Sequence, residues 1–406
     1  MFEIYDPEIY YKSSENMEEI QENSIQLILT SPPYGKIKDY GPTDQIGFSD
    51  SFEEYFKRLK KVWKECFRVL EPQCRMVINV GDQYLRTTEF GRYRILSIAS
   101  QIINDCIDIG FDFLGDIIWQ KVSTTNTTGG CTLMGSIYYP RNGLLTYDYE
   151  HILIFKKHQG KSKKVDLKKK ELSKISLTEW KKWFIGHWSF PGMLQKEHIA
   201  MFPDELPYRI IRMFSLIGDK VLDPFLGSGT SLKVAKSLFR KGIGYELNEN
   251  FRPIIEKKIS TSKIGDFRDY QYLVYMIYKK SLTSDFEINF KKQKQKGIIV
   301  LKNPKNQEII IDYLLIDQDL HDPKFFDNEF KVKLEENTIQ NYLNNHPNWE
   351  SYTNYIVIIH SKFPNYQMIQ NKIKEVSNYT KTAKNVQFRM FEEIIEDNFD
   401  ILDLFI

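Results

Sequence analysis

The chain has 406 residues, 42% of them apolar and 27% charged, with a net charge of +2; this allows one large domain plus an appendage with a sizeable core, and it leaves any nucleic-acid affinity to local clusters of charge. The cysteines Cys66, Cys74, Cys106 and Cys131 form no CxxC pair and no metal-type group with histidine, and read as free thiols in a reducing compartment with no metal bound. Neither a signal peptide nor an apolar run long enough to span a bilayer occurs, so a soluble cytoplasmic protein with no membrane partner is expected.

The first apolar run, Ile25 to Leu29, reads as a buried strand that ends in Thr30-Ser31-Pro32-Pro33-Tyr34-Gly35. Phe52 to Leu70 follows as a helix with Phe52, Tyr55, Phe56, Leu59, Val62, Trp63, Phe67 and Leu70 near one face. A strand over Arg75 to Val80 comes next, then a helix over Arg94 to Ile109 built on Ile95, Ile98, Ile102 and Ile103. Strands are expected at Gly115 to Trp119 and His151 to Phe155, separated by a Thr-, Gly- and Asn-rich loop over Ser123 to Gly143. Lys156 to Lys182 carries eleven lysines against Asp166, Glu171 and Glu179. Trp180, Trp183, Phe184 and Trp188 lie in or just beyond it and read more readily as local core than as base-stacking groups. Two further strands, Lys220 to Asp223 and Gly242 to Glu246, flank Asp223-Pro224-Phe225-Leu226-Gly227-Ser228-Gly229-Thr230 and a helix from Ser231 to Leu238. The alternation predicts a doubly wound α/β sheet, Rossmann-like in class. Beyond about Ser260 the composition turns to Asn, Lys and Gln. There Gly297 to Leu301 and Glu308 to Leu315 read as a hairpin, Tyr355 to Ile359 as a strand and Phe391 to Ile406 as an amphipathic helix.

Ligands of open α/β sheets bind at the carboxyl ends of strands, where both special loops fall. Pro32 and Pro33 fix φ and donate no backbone hydrogen bond, and Ser31 before proline is biased to extended geometry. The loop is therefore stiff, with carbonyls free to point outward. The exocyclic amino group of cytosine or adenine is a poor nucleophile, because its lone pair is delocalised into the ring. Accepting its two N–H groups with the Ser31 hydroxyl and the Pro32 carbonyl favours a pyramidal nitrogen that can attack a sulfonium methyl in line. Tyr34 is placed to stack on the base, which must leave the duplex to be reached. A Pro-Pro turn of purely structural role is the bland alternative for the tetrapeptide taken alone.

In the second loop Gly227 and Gly229 permit a tight turn and close backbone approach, and Thr230 opens a helix whose amides face the loop. Asp223 is placed for the amino-acid moiety of an adenosyl cofactor, and Phe225 for an apolar wall. Glu246 ends the next strand about 20 residues beyond the glycines, where dinucleotide-type folds keep the acid that accepts ribose hydroxyls. The motif is neither GxGxxG nor a P-loop. Together the two loops point to methyl transfer onto a flipped DNA base.

At these residues the chain resembles the amino-directed DNA methyltransferases of bacterial restriction–modification systems. The catalytic SPPY element precedes the cofactor DPFxGSGT element, an order similar to the circularly permuted β group of that family. Further blocks carry the resemblance: Val77-Ile78-Asn79-Val80-Gly81-Asp82, Ile109-Gly110-Phe111, Ile117-Ile118-Trp119-Gln120-Lys121, Tyr149 to Lys156, His198 to Leu206 and Gly244-Tyr245-Glu246-Leu247-Asn248. The resemblance implies S-adenosyl-L-methionine as cofactor and double-stranded DNA as substrate. It implies a cofactor site from Thr30, His198, Phe202, Pro203, Asp223, Pro224, Phe225, Gly227, Ser228, Gly229, Thr230, Glu246 and Asn248, and a catalytic set of Ser31, Pro32, Pro33 and Tyr34. It implies transfer to N4 of cytosine, which accompanies Ser in the first position of the tetrapeptide, with N6 of adenine as the alternative. A separate cognate restriction endonuclease would be the functional partner, and the protein a monomer or homodimer. One departure is visible: many relatives carry Gly-Asp where this chain reads Tyr11-Lys12-Ser13-Ser14, so the acidic cofactor contact is missing there.

The implied layout is a methyltransferase domain over 1–265, with a catalytic half at 1–156, a target-recognition region at about 123–197 and a cofactor half at 198–265. Lys161, Lys163, Lys164, Lys168 and Lys169 are candidate phosphate contacts, their bland reading being a solvated face. Arg141 and Asn142, in a loop at the catalytic end, have side chains able to read guanine and adenine edges. Residues 266–406 form a C-terminal α/β appendage, an accessory DNA-contacting or dimerising domain in the favoured reading. A structural cap and a nuclease are the others, the last resting on Asp312 with His360-Ser361-Lys362, which has His where an acid belongs. Protein glutamine-amide methylation and a non-enzymatic DNA-binding module are the more distant functions; the order of the loops argues against the first, and intact catalytic and cofactor loops against the second.

Overall fold

Runs of Ile, Leu and Val without polar alternation form strands when both faces of a sheet are covered. The computed structural model describes residues 3–35, 39–85, 87–121, 134–135, 138–175, 177–192 and 202–262, together with five strands beyond residue 286. They divide into two units, Met1–Val165 with Trp183–Asp266, and Asp166–Lys182 with Phe267–Ile406.

In the first unit and the short segment between its parts, the elements in chain order are β1 (Glu8–Tyr10), β2 (Ile25–Thr30), α1 (Phe52–Val69), β3 (Leu70–Val80), β4 (Gln83–Leu85), α2 (Thr87–Phe90), β5 (Arg94–Leu96), α3 (Ile98–Ile109), β6 (Phe111–Gln120), β7 (Met134–Gly135), β8 (Gly143–Leu144), β9 (Tyr149–Lys157), α4 (Leu167–Leu172), α5 (Leu177–Trp183), β10 (His187–Ser189), α6 (Glu205–Phe214), β11 (Lys220–Asp223), α7 (Thr230–Ser237), β12 (Lys241–Tyr245) and α8 (Arg252–Ser260). Eight strands form one sheet in the order β1-β12-β11-β2-β3-β9-β6-β10. Neighbours pair in parallel except on the two sides of β9, which runs against the other seven. The carboxyl ends of β2, β3, β6 and β11 therefore share one edge of the sheet with the start of β9.

Both faces are covered. On one, Tyr55, Leu59, Val62, Trp63 and Cys66 of α1 meet Ile98, Ile102 and Cys106 of α3 over Ile28, Met76, Ile78, Ile243 and Tyr245. On the other, Gly242 and Gly244 let helix and loop sit directly on β12: a Cβ at Gly242 would lie 2.9 Å from Leu232, and one at Gly244 2.8 Å from Leu226. Leu226 and Leu232 continue into a second apolar cluster with Ile255 and Ile259 of α8. The doubly wound α/β sheet expected from the alternation is thus observed, and it is mainly parallel.

Ser51 caps α1 by accepting the Glu54 amide at 3.1 Å. The helix expected from Arg94 starts later. Arg94–Leu96 pairs antiparallel with Gln83–Leu85, and the Asp82 carboxylate, accepting the Ala99 amide at 3.0 Å, starts α3 at Ile98. An apolar triplet has no periodicity of its own, so the cap decided the boundary. The expected loop over Ser123 to Gly143 contains a small β7–β8 ladder; its residues 123–133 and 136–137 lie outside the described residues. Among the described residues no helix is long and apolar enough to cross a membrane.

The second unit holds β13 (Glu287–Gln293), β14 (Lys296–Lys302), β15 (Glu308–Leu315), β16 (Asn354–His360) and β17 (Val386–Met390), paired in that order. The first three form an antiparallel meander, and β16 and β17 add in parallel. The expected hairpin and the strand near Tyr355 are both present, while the terminal helix over Phe391 to Ile406 lies outside the described residues. Asp312 stands opposite Val357 and His360 opposite Leu315, so Asp312 and His360 are about 10 Å apart along the paired strands. That register does not bring the two residues of the nuclease reading level; Ser361 and Lys362 lie outside the described residues.

Gly47 sits at φ +101, and a Cβ there would lie 2.7 Å from the Gly35 Cα and 2.9 Å from the Tyr55 ring. Gly47→Ala is expected to destabilise the first unit by roughly 1–3 kcal/mol through the strained φ alone, with a lowered Tm by calorimetry and a displaced Gly35.

Candidate active site

The two loops read from the sequence meet at Asp223. The Asp223 side chain is 1% exposed, and it accepts the Thr30 hydroxyl at 2.7 Å, the Ser231 hydroxyl at 2.5 Å and the Phe225 amide at 3.1 Å. The last residue of β2, the last of β11 and the first turn of α7 are thereby one hydrogen-bonded unit. Burial pushes the Asp223 carboxyl up to about 6, against the three donors that favour its charge. Asp223 is thus a brace beneath the loops and does not face the cleft, as its cofactor-contact reading had required.

Above that brace lies a cleft of about 740 Å³, open water at its mouth included. Ser31, Pro32, Pro33 and Tyr34 line one wall, and Pro224, Phe225, Gly227 and Glu246 another. Lys12, Ser13 and Ser14, the segment that departs from the family pattern, also line it, with Lys12 held by Glu19 at 2.6 Å. Tyr245 and Leu247, from the Gly244–Asn248 block, line it too, while Tyr40, Gln45, Ile46 and Phe251 complete it and carried no motif by which the sequence could reveal them.

The catalytic loop is held from several sides. The Tyr55 hydroxyl of α1 donates to the Pro33 carbonyl at 2.8 Å. The Tyr34 amide donates to the Tyr40 phenol oxygen, and the Ser31 hydroxyl donates to the Tyr34 phenol oxygen. The Tyr34 hydroxyl in turn donates to Glu150 Oε1 at 3.0 Å. Glu150, at the start of β9, also takes the Asn79 side-chain amide at 2.7 Å and pairs with Lys121. Burial beside Glu150 pushes the Tyr34 phenol well above its usual range.

On the cofactor side, Glu246 Oε2 accepts the Gly227 amide and Oε1 the Asn248 amide, both at 2.8 Å. Burial, the largest influence, raises its carboxyl to about 7. Asn248 itself points away: its side chain donates to the Tyr40 carbonyl at 2.7 Å and caps the short turn at Glu249–Phe251. Ser228 and Thr230 are buried behind the glycines, where Lys258 donates to their hydroxyls at 2.6 and 3.0 Å. Phe202 and Pro203 are half-buried ahead of α6 and do not line the cleft; His198 lies outside the described residues.

The lysine-rich stretch is not one stripe. Lys157 is 5% exposed and donates to Asn23 and to the Phe67 and Leu70 carbonyls, and burial lowers its pKa. Lys161, Lys163 and Lys164 are exposed beyond the end of β9, and Lys163 pairs with Glu71 near the start of β3. That is the edge opposite Ser31, so the structure does not bring these three to the catalytic end. Lys168 and Lys169 lie on α4, in the other unit. Trp183 and Trp188 are buried, as the core reading expected, while Trp180 is 53% exposed. Arg141 and Asn142 form a short 3-10 turn between β7 and β8 and are exposed, next to Tyr138 and Tyr139 at 95% and 70% exposure. The Tyr84 hydroxyl, just past the end of β3, donates to the Leu145 carbonyl at 3.0 Å, which roots this hairpin at the catalytic edge.

A sequence profile described as DNA methylase, of the N6/N4 class, matches residues 25–257. The chain is 34% identical over 279 residues to the type II methyltransferase M.MjaI of Methanocaldococcus jannaschii, an alignment covering 62% of this chain and 90% of that protein. It is 35% identical over 277 residues to the type II methyltransferase M.MthZI of Methanothermobacter thermautotrophicus, covering 62% and 76%. Among solved structures it is similar to a Thermus thermophilus protein described as a DNA modification methylase and complexed with S-adenosyl-L-methionine, with 29% identity, a TM-score of 0.52, and coverage of 64% of this chain and 98% of that one.

Removing the central carboxylate should cost more than an ordinary surface change. Asp223→Ala is expected to lose about 3 kcal/mol or more in denaturant unfolding, because three buried donors lose their acceptor. Asp223→Asn should lose less. Its deficit should shrink as pH rises from about 4 to 7, since a carboxyl raised to about 6 in the fold contributes most below its unfolded value and progressively less as it ionises.

Proposed function

We propose that this chain, which belongs to the N6/N4 DNA methylase family, is a site-specific DNA methyltransferase that methylates N4 of a flipped cytosine in duplex DNA, as the modification enzyme of a restriction–modification system. The observation that carries the reading is the single cleft onto which the Ser31–Tyr34 loop and the Pro224–Gly227 loop with Glu246 both open. The order of the loops, catalytic before cofactor, supports the permuted β group. Ser in the first position of the tetrapeptide supports cytosine.

The donor set fits an adenosyl sulfonium cofactor. Glu246 already accepts backbone amides and keeps lone pairs for ribose hydroxyls, while Phe225 and Phe251 give the apolar surface that an adenine ring needs. The family's cofactor, S-adenosyl-L-methionine, supplies an electrophilic methyl on a sulfonium. The residues of the chain do the rest by orientation. Because the Ser31 hydroxyl donates to Tyr34, its oxygen presents lone pairs to the target amino group. Tyr55 occupies the Pro33 carbonyl, which leaves the Pro32 carbonyl for the second N–H. Held by two acceptors, the amino nitrogen is driven toward a pyramidal form with its lone pair along the line of transfer. Tyr34, anchored through its hydroxyl, offers its ring to the base.

DNA would be met at the catalytic edge by the 134–144 hairpin, with Arg141 and Asn142 reading base edges and Tyr138 and Tyr139 exposed beside them. We take the second unit as an accessory DNA-contacting or dimerising module. A separate endonuclease acting on the same site is the functional partner, and the enzyme works in the cytoplasm as a monomer or homodimer.

Mass spectrometry of nucleosides from DNA treated with the protein and S-adenosyl-L-methionine is expected to show N4-methylcytosine, at one short sequence when that DNA is read base by base. N6-methyladenine would overturn the cytosine assignment and keep the mechanism. Ser31→Ala should slow single-turnover transfer by roughly a hundredfold or more, the scale for losing one oriented polar contact, with cofactor affinity retained. Cofactor affinity, followed by calorimetric titration, should weaken as pH falls through about 7, because Glu246 accepts ribose hydroxyls best when ionised. Glu246→Gln should bind weakly at every pH and lose that dependence.

A further inference from the structure

Methylation leaves a proton to be removed. Attack forms the N–CH₃ bond with the nitrogen lone pair, and the S–CH₃ bond breaks with its electrons passing to sulfur. The nitrogen then carries a positive charge until an N–H bond pair returns to it and the proton departs. Orientation by Ser31 and Pro32 does not say where that proton goes.

A continuous hydrogen-bonded line leads away from the Ser31 oxygen. Ser31 donates to the Tyr34 phenol oxygen, and Tyr34 donates to Glu150 Oε1 at 3.0 Å. Both links point the same way, outward from the target. The line ends on a carboxylate that is 7% exposed, steadied by the Asn79 amide at 2.7 Å on its other oxygen and by the Lys121 ammonium. The Lys121 side chain is 34% exposed and so links the carboxylate to water. A Cβ at Gly81 would lie 3.3 Å from the Glu150 Cγ, so the chain leaving β3 passes close beside this side chain. Lys121, on the same carboxylate oxygen as Tyr34, and Asn79 offset the cost of burying this charge, whereas a side chain whose only task was to anchor a tyrosine could be a neutral amide.

We propose that Glu150 is the proton acceptor of the reaction, reached through a relay of the Ser31 and Tyr34 hydroxyls. The amino proton passes to Ser31 Oγ, the Ser31 proton to Tyr34 Oη, and the Tyr34 proton to Glu150 Oε1. One proton leaves the base and one arrives on the carboxylate, with both hydroxyls restored. Glu150 later releases it to water beside Lys121. This assignment rests on the methyltransferase reading above.

Glu150→Gln separates the relay from a structural role, because the amide oxygen still accepts the Tyr34 hydroxyl while it cannot take a proton. Tyr34→Phe keeps the ring and cuts the line. Each is expected to slow single-turnover methyl transfer, at a site mapped on plasmid DNA, by about a hundredfold, the scale for losing a general base. Cofactor and DNA dissociation constants should stay within about twofold of wild type, and the double variant should be no slower than the slower single one, as expected of residues acting as one unit. A Glu150→Gln rate within about threefold of wild type, or a loss traced wholly to weaker cofactor or DNA binding, would overturn the relay and leave the methyltransferase reading standing. A wild-type protein that binds the cofactor but methylates no DNA base would take down both.

Discussion

The candidate active site depends on one buried carboxylate that does not line its cleft. Asp223 ties Thr30, 193 residues away in sequence, to Ser231, and it holds the turn that begins at Phe225. In the proposed reaction a methyl can pass in line only if the Ser31–Tyr34 loop and the Pro224–Gly227 loop keep a fixed spacing, and misplacement on the scale of an ångström costs orders of magnitude in rate. Adjacent parallel strands set that spacing coarsely. The paired hydroxyls on Asp223 set it finely, by making the ends of β2 and β11 one rigid corner. Burial works against the charge, but each carboxylate oxygen has its donors, so the ionised form persists near neutral pH.

Rigidity on the base-holding side comes from α1 and the segment before it. Tyr55 reaches from the buried face of α1 to the Pro33 carbonyl, and Gly47 lies so close to Gly35 that no side chain fits between them. On the far side Asn248 grips the Tyr40 carbonyl, so the segment closing the cleft is fastened to the strand end that carries Glu246. The loops are irregular in shape yet multiply braced, as preorganised polar catalysis requires.

Strands with uniform apolar composition were legible in the sequence: Lys220–Asp223 has the expected bounds, and Ile25 is where β2 begins. Both special loops were legible too, because Pro-Pro and Gly-Ser-Gly restrict or free the backbone by themselves. What stayed hidden depends on contacts distant in sequence. Nothing near Glu150 says that Tyr34, Asn79 and Lys121 will converge on it, since the four residues come from separate parts of the chain. Lys157 belongs to a run of positive charge, and only the fold shows its ammonium buried against the Phe67 and Leu70 carbonyls. Asp223, Ser228, Thr230 and Asn248 look like ligand contacts in a motif, and only the fold shows their side chains hydrogen-bonded within the chain, because a motif reports the need for a residue without its direction.

The substituted segment at Lys12-Ser13-Ser14 bears on how the site balances charge. Ser13 and Ser14 are small and neutral where they line the cleft, and the nearest acid behind them, Glu15, is committed to Arg58 at 2.6 Å and Lys61 at 3.2 Å. Lys12 is likewise neutralised by Glu19. This wall therefore presents hydroxyls and little net charge. The acidic groups of the site are Asp223, beneath the loop, and Glu246, just past β12, whose amide donates to the Tyr10 carbonyl at 3.0 Å where the Lys12-Ser13-Ser14 segment leaves β1. A cationic cofactor in the cleft would face the Glu246 carboxylate, whose pKa is raised by burial and by the charge of Asp223. Its positive charge would offset part of that desolvation and draw Glu246 toward the ionised state. A Lys12-Ser13-Ser14 segment with little net charge fits beside Glu246 for that reason, because a further acid there would add to the repulsion that Glu246 already feels from Asp223.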